Sequence, residues 1–323
     1  MMRQPAPKTE ADSSLAIRAA WLHFAGGLTQ AEVATRLGVS GIKAHRLIAQ
    51  ASQSGAVKIS VEGEISGCLD LEDRLSDRFG LTFCQVVPDL GEAGLPLRTL
   101  GVAGAALLRR EIVALPDGII GVGHGRTLAA GISALARIDA PTVRFVSLLG
   151  GLTRNLAANP HDVMHRLAEK TGADAYVLPV PFMANTPQDR AVLLAQRGVG
   201  DVVELAARAD LLIVGVGTAT PDAQLVASKM VTVAEIAEVQ RAGAVGEVLG
   251  HYFDHDGAPV ESSLAARTIS PDLATLRGRR IIAVAGGAVK VAGLRAVLRS
   301  GCLSGLVTDE ATALAMMNGK DAD

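Results

Sequence analysis

Apolar positions recur at helical spacing near the start of the chain and change to short solid runs further on. Between residues 13 and 54 the helical period is broken by Gly26-Gly27 and Gly38, which predicts three short helices. Lys58 to Val61 alternates in the manner of a strand and predicts a short wing or hairpin ending at Gly63. Leu69, Leu71, Leu75 and Phe79 then lie on a charged helix that reads as a connector. From Leu81 onward the apolar runs Phe83–Val87, Ile119–Val122, Val143–Leu149, Ala175–Val180, Leu211–Val216, Ile281–Ala285 and Gly305–Val307 alternate with amphipathic segments. Strand then helix, repeated this often, predicts a doubly wound α/β domain with a parallel sheet. The expected organisation is a disordered tail over 1–12, a helix-turn-helix module over 13–62, a linker helix over 63–80 and an α/β domain over 81–323.

The segment from Leu28 to Ala49 carries the most specific local pattern. Thr29 with Glu32 three residues on makes a capping box, so a helix starts at Gln30. Ala34 is small where a second helix must come close, and Gly38 permits the positive φ of a tight turn. Ser40 can cap the next helix, with Val33, Leu37, Val39, Ala44 and Leu47 at the packing positions. The free face then shows Ser40, Gly41, Ile42, Lys43, His45 and Arg46, the composition of a recognition helix for the major groove. Arg46 and His45 are the candidates for base edges. Lys43 and Arg36 suit phosphates, and Thr29 and Gln30 lie at the helix start that would face the same backbone.

Composition supports this division. The 323 residues are half apolar yet only 3% aromatic, which suits a core of small aliphatic side chains between sheet and helices. The net charge of −2 is uninformative, but its distribution is not. Residues 13 to 60 carry Arg18, Arg36, Lys43, Arg46 and Lys58 against the single acid Glu32, so one short segment is matched to a polyanion. Cys68, Cys84 and Cys302 are scattered in no metal-binding spacing, and neither a leader nor a membrane-length apolar run is present, so the cytoplasm is expected.

Three glycine-rich segments follow predicted strands. In Gly121-Val-Gly123-His124-Gly125-Arg126-Thr127, the glycines let backbone N–H groups approach an anion at a helix start. Arg126 can form a bidentate pair with phosphate or carboxylate, and Thr127 can donate its hydroxyl. The segment lacks the Gly-Lys-Ser/Thr ending of a nucleotide-binding P-loop and the Gly-x-Gly-x-x-Gly spacing of a dinucleotide site. Gly151 and Gly217 belong to the other two segments, and Lys290 follows a strand and a glycine pair. Lys290 is either an anion contact or a solvated lysine at a helix start. In a doubly wound sheet these loops converge outside the carboxyl ends of the strands. Asp254 opens an Asp-His-Asp-Gly turn, but Ala265 stands where a calcium loop needs glutamate, so no metal is expected. Asp309 and Glu310 are explained by the dipole of the helix they open.

Taken in order, Leu28–Ser40 with Arg46-Leu47, Gly121–Thr127, Gly215-Val-Gly217, Gly246-Glu-Val with Phe253-Asp254-x-x-Gly257, Ala283–Lys290 and Thr308-Asp-Glu-Ala-Thr312 resemble the SorC family of bacterial sugar-sensing transcriptional regulators. The Ser13–Leu47 stretch is similar to regulators of polyol operons. The resemblance implies a sugar-isomerase-like effector domain that binds a phosphorylated sugar or polyol. It also implies operator DNA as partner, a homodimer or homotetramer, and no cofactor. By the same implication Gly123, Gly125, Arg126 and Thr127 cradle the phosphate while Asp254 and Lys290 contact the effector. His124-Gly125-Arg126 departs from the small or hydroxylated residues usual in this loop, so Arg126 either strengthens the anion site or blocks it. The competing reading is a sugar-phosphate isomerase, which would need a positioned carboxylate pair or a carboxylate with lysine for proton transfer but no basic recognition helix.

Overall fold

The computed structural model describes residues 8–54, 56–57, 66–153, 156–157, 161 and 163–318. Its contacts divide the chain into two compact units, Met1–Gly63 and Glu64–Asp323. The wing expected over Lys58–Val61 lies outside the described residues.

In the first unit, α1 (Lys8–Ala20) runs on through a π-helical turn, Trp21–Ala25, before α2 (Gln30–Leu37) and α3 (Gly41–Gln53). The helix therefore starts within the segment expected to be a disordered tail. From Lys8 to Asp12 there is neither glycine nor proline to stop it. Ala16, Ala19 and Ala20 of α1 meet Val33, Ala34, Ala44, Leu47, Ile48 and Ala51 in a small dry core. Alanines at these positions let three short helices approach closely, and burying a leucine such as Leu47 stabilises by about 1.5–3 kcal/mol. The expected capping box is present: the Thr29 hydroxyl accepts from Glu32 N–H, and Glu32 accepts from Thr29 N–H. Gly38 has φ +65°, and Val39 N–H turns back to the carbonyl of Ala34. Ser40 then caps α3 by accepting from Lys43 N–H. The result is a helix-turn-helix.

The second unit is built on seven strands, one for each apolar run: β1 (Phe83–Val87), β2 (Ile119–Val122), β3 (Arg144–Leu152), β4 (Asp174–Pro181), β5 (Leu211–Val214), then β9 (Ile281–Val284) and β10 (Gly305–Asp309). The intervening β6 (Gly217–Thr218), β7 (Gly246–Val248) and β8 (His251–Phe253) form a separate antiparallel sheet in the order β6-β7-β8. The large sheet runs β1-β10-β9-β5-β2-β3-β4, and every pairing is parallel.

Alternation along the strands separates two faces. Ile120, Val122, Leu211, Ile213, Ile282 and Val284 join α5 (Leu97–Ala114), α6 (Arg126–Ala134) and α7 (Met164–Thr171). Ile119, Leu212, Val214, Ile281, Ala283 and Leu306 face the other way, toward α4 (Ser66–Phe79) and α9 (Val199–Ala207) among others. The remaining helices are α8 (Pro187–Leu194), α10 (Gln224–Ala227), α11 (Val233–Arg241), α12 (Leu273–Leu276), α13 (Val291–Arg299) and α14 (Glu310–Asn318). Leu225 of α10, Ile236 of α11 and Ala296 of α13 also join the second face.

Two expectations change here. Helix α4, read as a connector, buries Cys68, Leu71 and Leu75 in the core of the large unit and belongs to it. Leu149-Gly-Gly-Leu, read as a loop, continues β3 as far as Leu152, with register shifts around Gly150. Gly150 is required because a Cβ there would run into the backbone of Pro181 on β4.

Candidate effector cavity and nucleic-acid interface

After β2 the chain adds β3 and β4 on one side, then returns to the other side of β2 as β5. This reversal is the topological switch point, where the loops after two neighbouring strands diverge and leave a crevice. A cavity of about 370 Å³ lies there. Its walls come from the β2–α6 loop (Gly123–Leu128), the residues after β5 (Gly215–Thr218), Glu247 of β7, Leu249 and Lys290. Such a volume suits a small metabolite.

One wall is formed by the start of a helix. Gly125 has φ +134° and ψ 167°, a conformation in effect reserved for glycine, and it precedes α6 with no side-chain cap. The first bond of the helix is Ala129 N–H to the carbonyl of Gly125. The N–H groups of Arg126, Thr127 and Leu128 therefore have no intrahelical acceptor, and these three residues line the cavity at the positive end of the helix. Both Arg126, which is exposed, and Thr127, which is buried, line the cavity. Lys290 reaches the same space from a 3-10 turn, Ala288–Lys290. Burial, reinforced by the charge of Arg126, lowers its ammonium to about 8, and Glu247 opposes the shift. The Lys290 N–H donates to the carbonyl of Gly287, but its ammonium makes no hydrogen bond or ion pair among the described residues.

Other lining residues are polar and acidic. Glu247 is buried, and burial pushes its carboxyl up to about 7 despite a hydrogen bond from Gly250 N–H and the field of Lys290. A Cβ at Gly217 would meet this carboxylate, so a side chain there would force Glu247 to shift. Thr218 and Thr220 share a hydrogen bond of 2.8 Å beside Asp222 and Gln224. The β7–β8 hairpin turns on Leu249 and Gly250, both at positive φ. Leu249 is thus a bulky residue held in a costly conformation where its side chain lines the cavity.

The structure gathers Gly123, His124, Gly125, Arg126, Thr127, Gly217 and Lys290 at this one cavity. Their parts differ, however. The Gly123 N–H is already bonded to the carbonyl of Ile213, so this glycine serves close packing and does not donate to a ligand. His124 has its Nε2 enclosed with no hydrogen-bond partner among the described residues, and its ring lies edge-on to Phe182. Burial, helped by nearby His161, lowers it to about 4. Gly151 lines a much smaller neighbouring space, a consequence of its place in β3. Asp254 is not among the cavity residues: its carboxylate accepts from Asp256 N–H at 3.0 Å and Ala258 N–H at 2.8 Å and closes a turn. Asp309, like Asp254, is occupied structurally, capping α14 through Thr312.

Sequence reasoning missed Glu247 as a site residue. The signal lay in Gly246-Glu-Val, a carboxylate between residues that must be buried, but nothing local tells that it faces Lys290. Among the described residues, no group of His, Cys, Asp and Glu is arranged to hold a metal ion.

In the first unit, Gly41, Ile42, His45 and Arg46 are exposed along α3, with Ile42 at 86% the most exposed large apolar residue among the described residues. Gln30 and Arg36 are exposed on α2, and Gln30 Oε1 meets His45 Nδ1 at 3.1 Å. Thr29 and Ser40 are engaged as caps by their hydroxyls, whereas Lys43 is half-buried.

Residues 63–318 match the family model described as "Putative sugar-binding domain". The chain is a member of the SorC family. It is 56% identical to the erythritol catabolism regulatory protein EryD of Brucella abortus over 96% of this chain and 99% of that protein. It is 31% identical to the transcriptional regulator LsrR of Klebsiella pneumoniae over 95% of this chain and 94% of that one. The full-length sorbitol operon regulator SorC of Klebsiella pneumoniae shares the fold, with a TM-score of 0.69 and 24% identity over 95% of this chain and all of that one. These relatives are named as transcriptional regulators and not as enzymes. This family member is accordingly a transcriptional regulator with a sugar-binding effector domain. No helix among its described residues is long and apolar enough to cross a membrane.

Proposed function

We propose that the cavity binds a phosphorylated polyol or sugar and that occupancy controls how a cytoplasmic homodimer or homotetramer holds its operator. The observation that carries the reading is the uncapped N-terminus of α6 at the switch point, with Arg126 and Lys290 on the same cavity. Free N–H groups, a helix dipole and two cations match a phosphate dianion. Thr218, Thr220, Asp222 and Gln224 offer donors and acceptors for hydroxyl groups across from it. The 56% identity to a regulator of erythritol catabolism makes a four-carbon polyol phosphate the first candidate. On the DNA side, Arg46 and His45 approach base edges while Arg36 and Lys43 engage phosphates. A single recognition helix makes few base contacts, so specific binding uses paired half-sites and at least two subunits.

A thermal-shift series with erythritol, its monophosphate, pentitol and hexose monophosphates and inorganic phosphate tests the effector. A ligand at a hundred times its dissociation constant adds about 2.7 kcal/mol of stability. Stabilisation by a phosphorylated polyol, followed by a change in operator affinity in a gel shift, is the expected result. A shift with free erythritol and none with any phosphate ester would remove the phosphate from the reading.

A further inference from the structure

The acidic wall of the cavity poses a problem for any anionic ligand. Glu247 is buried, and only one of its carboxyl oxygens has a protein donor, the N–H of Gly250. The other lies against Gly217, in the place a side chain there would occupy, with no hydrogen-bond partner among the described residues. An ionised carboxylate in that position repels a phosphate and, having only acceptors, offers nothing to its oxygens. A neutral carboxyl group reverses both effects, because it carries an O–H.

We propose that Glu247 enters the effector complex as the neutral acid, taking one proton from solvent as the anion binds and donating a hydrogen bond from its O–H to a ligand oxygen. The inference rests on the effector reading above and adds a proton to it. No covalent bond to the ligand forms or breaks.

The surroundings are consistent with this balance. Lys290 and Arg126 are the cationic groups of the cavity, and Lys290 favours the ionised form of Glu247 while burial favours the neutral one. Asp222 adds negative charge at the same cavity. Tyr252, on the neighbouring strand, is buried and held well above its ordinary range, so it stays neutral. His124 is neutral above about 4. Glu247, poised at about 7, is therefore the group that an incoming dianion tips. Lys290, at about 8, adds a smaller uptake as the same anion restores its full charge.

Isothermal titration calorimetry at pH 8 in buffers of different ionisation enthalpy counts the protons directly. The probe is the tightest-binding ester of the thermal-shift series, which is a dianion at that pH. Uptake should lie between about 1 and 1.5 protons per site, of which Lys290 supplies no more than about 0.5. The dissociation constant should rise toward tenfold per pH unit between pH 7 and 8. In Glu247→Gln, which cannot titrate, uptake should fall by close to one proton and the slope between pH 7 and 8 should flatten.

Ester binding with net uptake below about half a proton overturns the inference. So does an uptake that Glu247→Gln leaves unchanged. If the variant fails to fold, the wild-type proton count still decides, because Lys290 alone cannot reach one proton. Absence of binding by every ester would instead refute the effector reading itself.

Discussion

Acidification should weaken this protein through a single histidine more than its exposed histidines would allow. His124 sits behind the glycines of the β2–α6 loop with its Nε2 enclosed and unpartnered, and burial holds it at about 4 instead of the ordinary 6.5. The folded state therefore resists a proton that the unfolded chain accepts readily below pH 6.5. Stability contributed by this residue is intact at pH 7, falls as the pH drops through 6.5, and stops falling only below about 4. A gap of this size corresponds to about 2 kcal/mol lost at pH 5 and on the order of 3 kcal/mol below pH 4. Urea unfolding of the wild type and of His124→Asn between pH 7.5 and 5 isolates the effect, since the other carboxylates and histidines titrate equally in both. The difference in unfolding free energy between variant and wild type should shift by about 2 kcal/mol in favour of the variant over that range. The absolute cost of the substitution at pH 7 cancels from this comparison. A difference that stays constant with pH would refute the assignment of His124 as a buried neutral base.

Other perturbations test the remaining links. Gly125→Ala places its methyl in open space, so its cost is backbone strain alone, about 1–3 kcal/mol, with weaker phosphate-ester binding. Gly67→Ala in α4 meets equally open space without a positive φ and should stabilise by up to about 1 kcal/mol; urea titrations showing the same sign for both would refute the strain argument. Arg46→Ala should weaken operator binding by about 1–3 kcal/mol and relax sequence preference, whereas Lys43→Ala should lower the salt slope of binding by about one; gel shifts over a salt series separate the two. Arg280 donates hydrogen bonds of 2.7 and 3.0 Å to buried Glu111. Burial alone would raise Glu111, but Arg280 and Arg110 hold it below its ordinary value, so its contribution is present at neutral pH and lost as the pH falls through its lowered folded value. Arg280→Met should cost about 1.5–3 kcal/mol at pH 7 and less in acid, read by chemical denaturation.

The large sheet was legible because its central strands are covered on both faces, so each reads as an unbroken apolar run. The helix-turn-helix was legible for a different reason: capping box, αL glycine and small packing residue are local and occur at fixed offsets. What the sequence concealed was mostly non-local. Strands β6 to β8 are two or three residues long, too short to show a period of two. Helix α4 hid its buried face behind Asp70, Glu72 and Asp73; Cys68, not Leu69, completes the stripe with Leu71 and Leu75. Asp254 and Glu247 illustrate the same limit within the site. Glu247 lies in β7 and Asp254 just after β8, yet Asp254 spends one carboxylate oxygen on a turn while Glu247 lines the cavity. Only the three-dimensional fold, which brings Lys290 and Gly217 to Glu247, distinguishes them.

The composition of the cavity also constrains how a signal leaves it. A ligand shifts a conformational equilibrium only by the difference in its affinity for the two states. Contacts confined to the α6 terminus bind an anion without preferring any arrangement of the rest. A ligand that reaches from Arg126, Thr127 and Lys290 to Glu247 and Thr218 ties the loop after β2 and the turn after β9 to the small antiparallel sheet. Helix α6 packs on α5, where Gly131 lies against the backbone of Gly104 close enough that a Cβ there would make an ordinary contact of 3.5 Å. The two helices share the face of the sheet opposite α4. Inorganic phosphate, satisfying only the first set of contacts, should bind weakly and leave operator affinity unchanged at saturation. An ester that spans both sets should change it, and equal responses to the two would show that the hydroxyl-binding wall plays no part in the switch.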